Sequence, residues 1–297
     1  MTGPRGIYPM LYAFFGTDGR LDRQAMRRQV GACLAGGAHG IAALGLATEV
    51  SKLDEAERLD VLDWLCADVG GRVPVAITVF GETVDKQVAF IAAARSAGVD
   101  WVILQPPPLP GLGEKDLIAF FGAIADEAEL PVAIQNAPEY LGVGLSPDGL
   151  AELNRRHPSV SIVKGEGPAV LIEEVIRRTG GKLTVLNGRG GLELPDNLRA
   201  GCAGMIPAPD CFDVQVRIFE LMQAGEEQEA ERLYAQVLPA IAFVMQSIDH
   251  LTCYGKRLTA ARLGLDVVDR GPGLKPTEFG MKCVARFADA LGPLNIA

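Results

Sequence analysis

The stretch "VSIVKGEG", residues 160–167, turns from an apolar run into a lysine, then a carboxylate set between two glycines. Val160, Ile162 and Val163 favour an extended chain. A short apolar run of this kind fits a strand covered on both faces, the situation in a parallel sheet. Parallel neighbours need a crossover between them. One follows directly: "AVLIEEVIRRT" buries one stripe at helical spacing, and another apolar run comes at residues 183–186.

The same alternation extends in both directions. Candidate strands fall at residues 7–14, 40–44, 74–79, 101–104, 131–135, 160–164, 183–186 and 204–206. Amphipathic segments such as "DEAERLDVLDWLCADV" and "TVDKQVAFIAAARSAG" separate them. Ser146-Pro147-Asp148 reads as a helix N-cap with proline in the first turn, and Gly98, Gly180 and Gly201 read as C-terminal stops. Eight βα units predict an α/β fold, a (β/α)8 TIM barrel with a C-terminal helical extension, because closure leaves no sheet edge exposed. An open doubly wound sheet is the competing arrangement, but the first βα turn carries no GxGxxG. The strand signal stops near residue 225. The predicted organisation is a catalytic barrel over residues 1–224 and a helical extension over residues 225–297.

Composition narrows the function. Hydrophobic residues make up 48% and charged residues 22% of 297, enough for a sizeable core. A net charge of −9 with no basic block argues against a nucleic-acid partner. Apolar runs such as "GIAALGLA" are too short to span a bilayer, so no membrane partner is expected. The start, "MTGPRGIYPML", shows no hydrophobic leader, which makes the cytoplasm the expected compartment. Cysteines 33, 66, 202, 211, 253 and 283 form no CxxC pair and no Cys/His spacing suited to zinc. They read as reduced core thiols, and no metal is expected. Histidines 39, 157 and 250 read as structural.

In such barrels chemistry sits where the strands end. Lys52, Lys86, Lys115, Lys256, Lys275 and Lys282 lie in polar or amphipathic settings and read as surface amines. Lys182 precedes the seventh strand, at the bottom of the barrel. Only Lys164 ends an apolar strand at the top. Burial disfavours an ammonium, and a neutral amine adds to a ketone to form a Schiff base. The alternative is a structural ion pair between Lys164 and Glu49 or Glu166.

The turn "GLATEVSKLDEAER" after the second strand, "QNAP" after the fifth and a lysine ending the sixth resemble one superfamily. It is the N-acetylneuraminate lyase / dihydrodipicolinate synthase superfamily of class I Schiff-base lyases. "DGRLD" at 18–22, "GRVPV" at 71–75 and the helical tail extend the resemblance over essentially the whole chain. It implies that Lys164 is the Schiff-base lysine and that no cofactor is used. The Ala47-Thr48 turn would hold the carboxylate of a 2-oxo acid through backbone N–H groups and the Thr48 hydroxyl. Gly188 and Ile206 would line the pyruvyl pocket, Glu49 would anchor its turn, and the assembly would be a homotetramer built from dimers.

Several positions depart from the pattern. The synthase's proton-relaying tyrosine and threonine are replaced by Gln135 and by Leu46 and Ala47, and "LQPPPLP" lacks its second tyrosine. Tyr140 stands nearest to where an arginine would bind a second carboxylate. An amide does not ionise and alkyl groups relay no protons, so dihydrodipicolinate synthesis is not expected. Glu166 is the candidate acid–base group, because side chains two apart on an extended strand point the same way. The alternative is a carboxylate capping the helix that begins near Pro168. "IQNAP" with "KGE" looks most like the branch that dehydrates 2-keto-3-deoxy sugar acids, closest to L-2-keto-3-deoxyarabonate dehydratase. Dehydration of such an acid is therefore expected, with Gln135 and Asn136 among the substrate-binding residues. A pyruvate-dependent aldolase or hydratase-aldolase is the alternative enzyme, and a 2-oxo acid binding barrel without turnover the alternative outside enzymes. The apolar character of "GLATE" and "PPPLP" keeps an aryl or alkyl aldehyde adduct of pyruvate open. Arg189, in "GRGG", meets either substrate or Glu193.

Overall fold

The computed structural model describes residues 3–296; Met1, Thr2 and Ala297, at the edges of the leader stretch and of the two predicted segments, lie outside the described residues. Eight strands form one parallel sheet in the order β1-β8-β7-β6-β5-β4-β3-β2. They are β1 Gly6–Ile7, β2 Ile41–Ala43, β3 Val75–Val79, β4 Trp101–Leu104, β5 Val132–Asn136, β6 Val160–Gly165, β7 Thr184–Asn187 and β8 Gly204–Met205. The ring closes between the first and second strands: Met10 bridges Ala42, the Ala42 N–H donates to Pro9 (2.9 Å) and the Leu11 N–H to Ala42 (2.8 Å).

The helices are α1 Arg23–Ala35, α2 Glu55–Val69, α3 Val84–Ala97, α4 Glu114–Glu127, α5 Pro138–Leu141, α6 Pro147–Arg156, α7 Ala169–Arg178, α8 Leu194–Arg199, α9 Phe212–Ala224, α10 Glu227–Val244, α11 Ile248–His250, α12 Lys256–Leu263 and α13 Glu278–Leu291. Their ends follow the sequence cues. The Ser146 hydroxyl accepts from the Gly149 N–H to start α6, and Gly98 ends α3 in the left-handed region.

The barrel interior follows from the apolar runs, with Ile77, Ile103, Val132, Ile134, Val163 and Leu186 all buried. Four expected strands, the first, second, third and last, are shorter than their apolar runs. The first stops at Ile7 because Pro9 has no N–H for the ladder, and beyond it the chain pairs only singly, through Met10 and Phe15. The last stops at Met205. Where β1 meets β8, a Cβ on Gly204 would lie 1.9 Å from the Gly6 carbonyl oxygen, so only glycine fits.

The expected helical extension is built from several helices. α10 ends at Val244, α11 is one turn, and a wider i→i+5 turn over Leu251–Gly255 leads into α12. This break lays Met245, Ile248 and Leu251 over the mouth of the barrel. No helix among the described residues is long and apolar enough to cross a membrane.

Candidate active site

Register places the site. Gln135 of β5 pairs with Lys164 of β6, which pairs with Leu186 of β7. Pairing continues through Asn136, Gly165 and Asn187, so the extended geometry reaches past Lys164 and carries Glu166 back to the same side. Lys164 is 4% and Glu166 5% exposed. Of the two partners open to Lys164, the structure chooses Glu166: Nζ donates to Oε1 at 2.5 Å. Gln135 Nε2 donates to the same oxygen at 2.7 Å. Oε1 is thus held from two sides, while Oε2 has no hydrogen bond to protein among the described residues. Gly188 makes room for this carboxylate, since a Cβ there would sit 2.9 Å from Glu166 Cγ.

Lys164 and Glu166 line a pocket with Ala47, Gly188, Arg189 and Ile206. It holds about 30 Å³, the room of one water, so a 2-oxo acid needs the covering side chains to shift. Met245, one of those covers, is unbranched and well suited to do so. Among the described residues, neither the Ala47 nor the Thr48 N–H donates to a protein acceptor, although both residues are buried. Ala47 lines the pocket with the buried amine, where such a donor suits a carboxylate; Thr48 follows it in the turn and does not line the pocket.

Other expected contacts are redirected. The Thr48 hydroxyl donates its only proton to the Leu11 carbonyl (2.5 Å), so the residue offers its backbone N–H and not its side chain. Asn136 is clamped at both ends of its amide: Nδ2 donates to the Leu145 carbonyl and Oδ1 accepts from the Leu145 N–H. It ties down the loop after β5 and does not line the pocket. Gln135 touches Glu166 and acts through it. Arg189 pairs with Glu193 at 3.1 Å. Tyr140 is half-buried; burial first, then the Glu166 charge, push its hydroxyl above the ordinary tyrosine value, and Arg189 acts in the opposite sense. His39, His157 and His250 take structural contacts with Ile7, Asp126 and Phe243. All six cysteines are free, and no cluster among the described residues suits a metal ion.

The model of the dihydrodipicolinate synthetase family matches residues 3–282. The chain belongs to this family. The 4-hydroxy-tetrahydrodipicolinate synthase of Pelobacter propionicus is 28% identical over 223 residues, covering 74% of this chain and 77% of that one. That of Methanoculleus marisnigri is 29% identical over 239 residues, covering 79% and 81%. Among solved structures, dihydrodipicolinate synthase of Aquifex aeolicus aligns with a TM-score of 0.89 over 99% of this chain and 100% of that chain, at 19% identity. The chloride-inhibited enzyme of Acinetobacter baumannii complexed with pyruvate gives 0.88 over 98% and 99%, at 20%. Likeness at this identity supports the TIM-barrel fold. Family membership makes the protein an enzyme, a class I Schiff-base lyase working through a lysine without added cofactor.

One support of the turn after β2 escaped the sequence. Lys256, expected on the surface, is 1% exposed and forms a short ion pair with Glu49 Oε1. Lys52, also expected at the surface, holds Oε2 at 2.5 Å. Glu49 has a left-handed backbone (φ 56°), and it is these two lysines that anchor the turn bearing Ala47 and Thr48. Lys256→Met is expected to destabilise the protein by about 3 kcal/mol near neutral pH, the low end for breaking a buried pair because Lys52 remains. Burial holds the Lys256 ammonium below the ordinary 10.5, with the Glu49 charge acting against it. Below that lowered value both native and unfolded chains carry the proton. Between it and 10.5 the unfolded chain binds more, so native stability gains a rising component with pH that the variant lacks. Urea unfolding across alkaline pH checks both effects, and equal midpoints for the two proteins would remove Lys256 from this role.

Proposed function

We propose that the protein dehydrates a 4-hydroxy-2-oxo acid of the 2-keto-3-deoxy type, through a Schiff base on Lys164 with Glu166 moving the protons. The observation that carries this reading is the arrangement of Glu166, with Oε1 fixed by Lys164 and Gln135 and Oε2 left free. Passing the proton from Nζ to Oε1 frees the amine to add to the C2 carbonyl; Glu166 returns that proton to the carbinolamine hydroxyl, which leaves as water, giving the iminium and the free carboxylate. The iminium acidifies C3, and Glu166 takes that proton to form the enamine. The C4–O bond then breaks, and the hydroxyl leaves as a second water with the proton Glu166 took from C3. Hydrolysis releases the unsaturated 2-oxo acid and regenerates the amine.

Breaking C3–C4 instead requires removing the C4 hydroxyl proton, and Gln135 stands where a base would be. A pyruvate-dependent aldol cleavage is the second reading, favoured by Tyr140 lying within reach of the Glu166 charge. Product identity separates the two: an unsaturated acid or pyruvate plus an aldehyde. A homotetramer in the cytoplasm is part of the same proposal. The direct test is incubation with pyruvate or a 2-keto-3-deoxy acid, borohydride reduction and peptide mass spectrometry. The adduct is expected on Lys164; absence of any covalent mark there overturns the reading.

A further inference from the structure

We infer that the substrate carries, beyond C4, a neutral tail bearing a hydrogen-bonding group, received in a second chamber and recognised there by Gln105. The inference rests on the Schiff-base reading and narrows its substrate. A cavity of about 220 Å³ adjoins the Lys164 pocket, with Leu46 and Ile248 forming walls of both. Val50, Phe80 and Leu141 complete its apolar lining. Gln105 follows β4 directly. Leu104 pairs with Ile134 and Gln135 with Lys164, so Gln105, Gln135 and Lys164 extend from adjacent strands.

Gln105 is 2% exposed. Its backbone N–H donates to Val79 (3.1 Å) and its carbonyl accepts from Gln87 (3.3 Å), so the main chain is satisfied. Its side-chain Nε2 is buried, without a protein partner among the described residues. A buried amide left open costs about 1–3 kcal/mol, which a ligand group inside the chamber relieves. A hydroxyl, which both donates and accepts, pairs with either end of a carboxamide.

Charge excludes the alternatives. Lys52 lines the chamber but is bound to Glu49, which lines it too, and exposed Asp249 adds a negative charge. A second carboxylate or a phosphate on the tail meets no free cation there. Ser51 and Thr252 also line the chamber, so a tail bearing hydroxyls finds partners there beside Gln105.

The test uses three 4-hydroxy-2-oxo acids, alike through C4, bearing a butyl tail, a hydroxybutyl tail and a carboxybutyl tail. Either uncharged compound is expected to show a kcat/KM at least about tenfold above the carboxybutyl one. Gln105→Leu is expected to lower the ratio of kcat/KM for hydroxybutyl over butyl by about tenfold. Because both values come from one preparation, any misfolded fraction cancels. Equal or better use of the carboxybutyl compound, or a ratio unmoved by the substitution, overturns the inference. If wild-type protein still gives a borohydride adduct on Lys164 with pyruvate, the Schiff-base reading survives that failure. If no 2-oxo acid marks Lys164, both fall together.

Discussion

Lys164→Met is expected to abolish both the borohydride adduct and turnover, with a fall in kcat on the order of 10⁴-fold or more. A thioether cannot add to a carbonyl, and no second amine lines the pocket among its described residues. The substitution has a stability consequence as well. Methionine removes one partner of a buried ion pair and leaves Glu166 held by Gln135 alone. Breaking such a pair from one side costs about 3–5 kcal/mol, less whatever the carboxyl recovers by taking up a proton. Lys164→Met/Glu166→Gln removes both charges and is expected to restore most of that stability while remaining inactive. The double-mutant cycle in urea therefore yields a coupling energy of opposite sign to the two separate losses. Residual turnover in Lys164→Met near the wild-type rate would end the covalent mechanism. Additive stability losses would show that the two charges do not support each other.

What the chain disclosed in advance depended on how local the signal was. Lys164 and Glu166 were legible because a strand repeats every two residues, and that period put both at one face of the barrel mouth. The eight βα units were legible for the same reason, since buried parallel strands leave unbroken apolar runs. The first strand was overextended because Pro9 interrupts hydrogen bonding without interrupting hydrophobicity. The fates of Thr48 and Asn136 were not legible. Their side chains are spent on the Leu11 and Leu145 backbones, 37 and 9 residues away, and no residue type announces such a partner. Lys256 was hidden more deeply, being 207 residues from Glu49. α12 is a polar helix by composition, yet Lys256, Thr259 and Arg262 are all buried in it. It packs against both α1 and α13, so position in the fold, and not amphipathic pattern, decides its burial.

Glu166→Gln is expected to separate the two halves of the mechanism. The amide has nearly the same shape and still accepts from Gln135, so the pocket geometry is retained. Without a carboxylate beside it, Nζ is released from its ion pair, so addition to pyruvate and the borohydride adduct are expected to persist. Proton removal from C3 has no such substitute. Turnover is expected to fall by about 10²–10⁴-fold, the usual contribution of a positioned acid–base group. Deuterium uptake from heavy water into the methyl group of pyruvate isolates that step, because it needs the Schiff base and the base but neither a leaving group nor a tail. Loss of uptake together with a retained adduct assigns C3 deprotonation to Glu166. Retained uptake with lost turnover moves Glu166 to departure of the C4 hydroxyl and leaves C3 to another base. Unchanged uptake and unchanged turnover would make the carboxylate a structural partner of the amine and remove it from the chemistry.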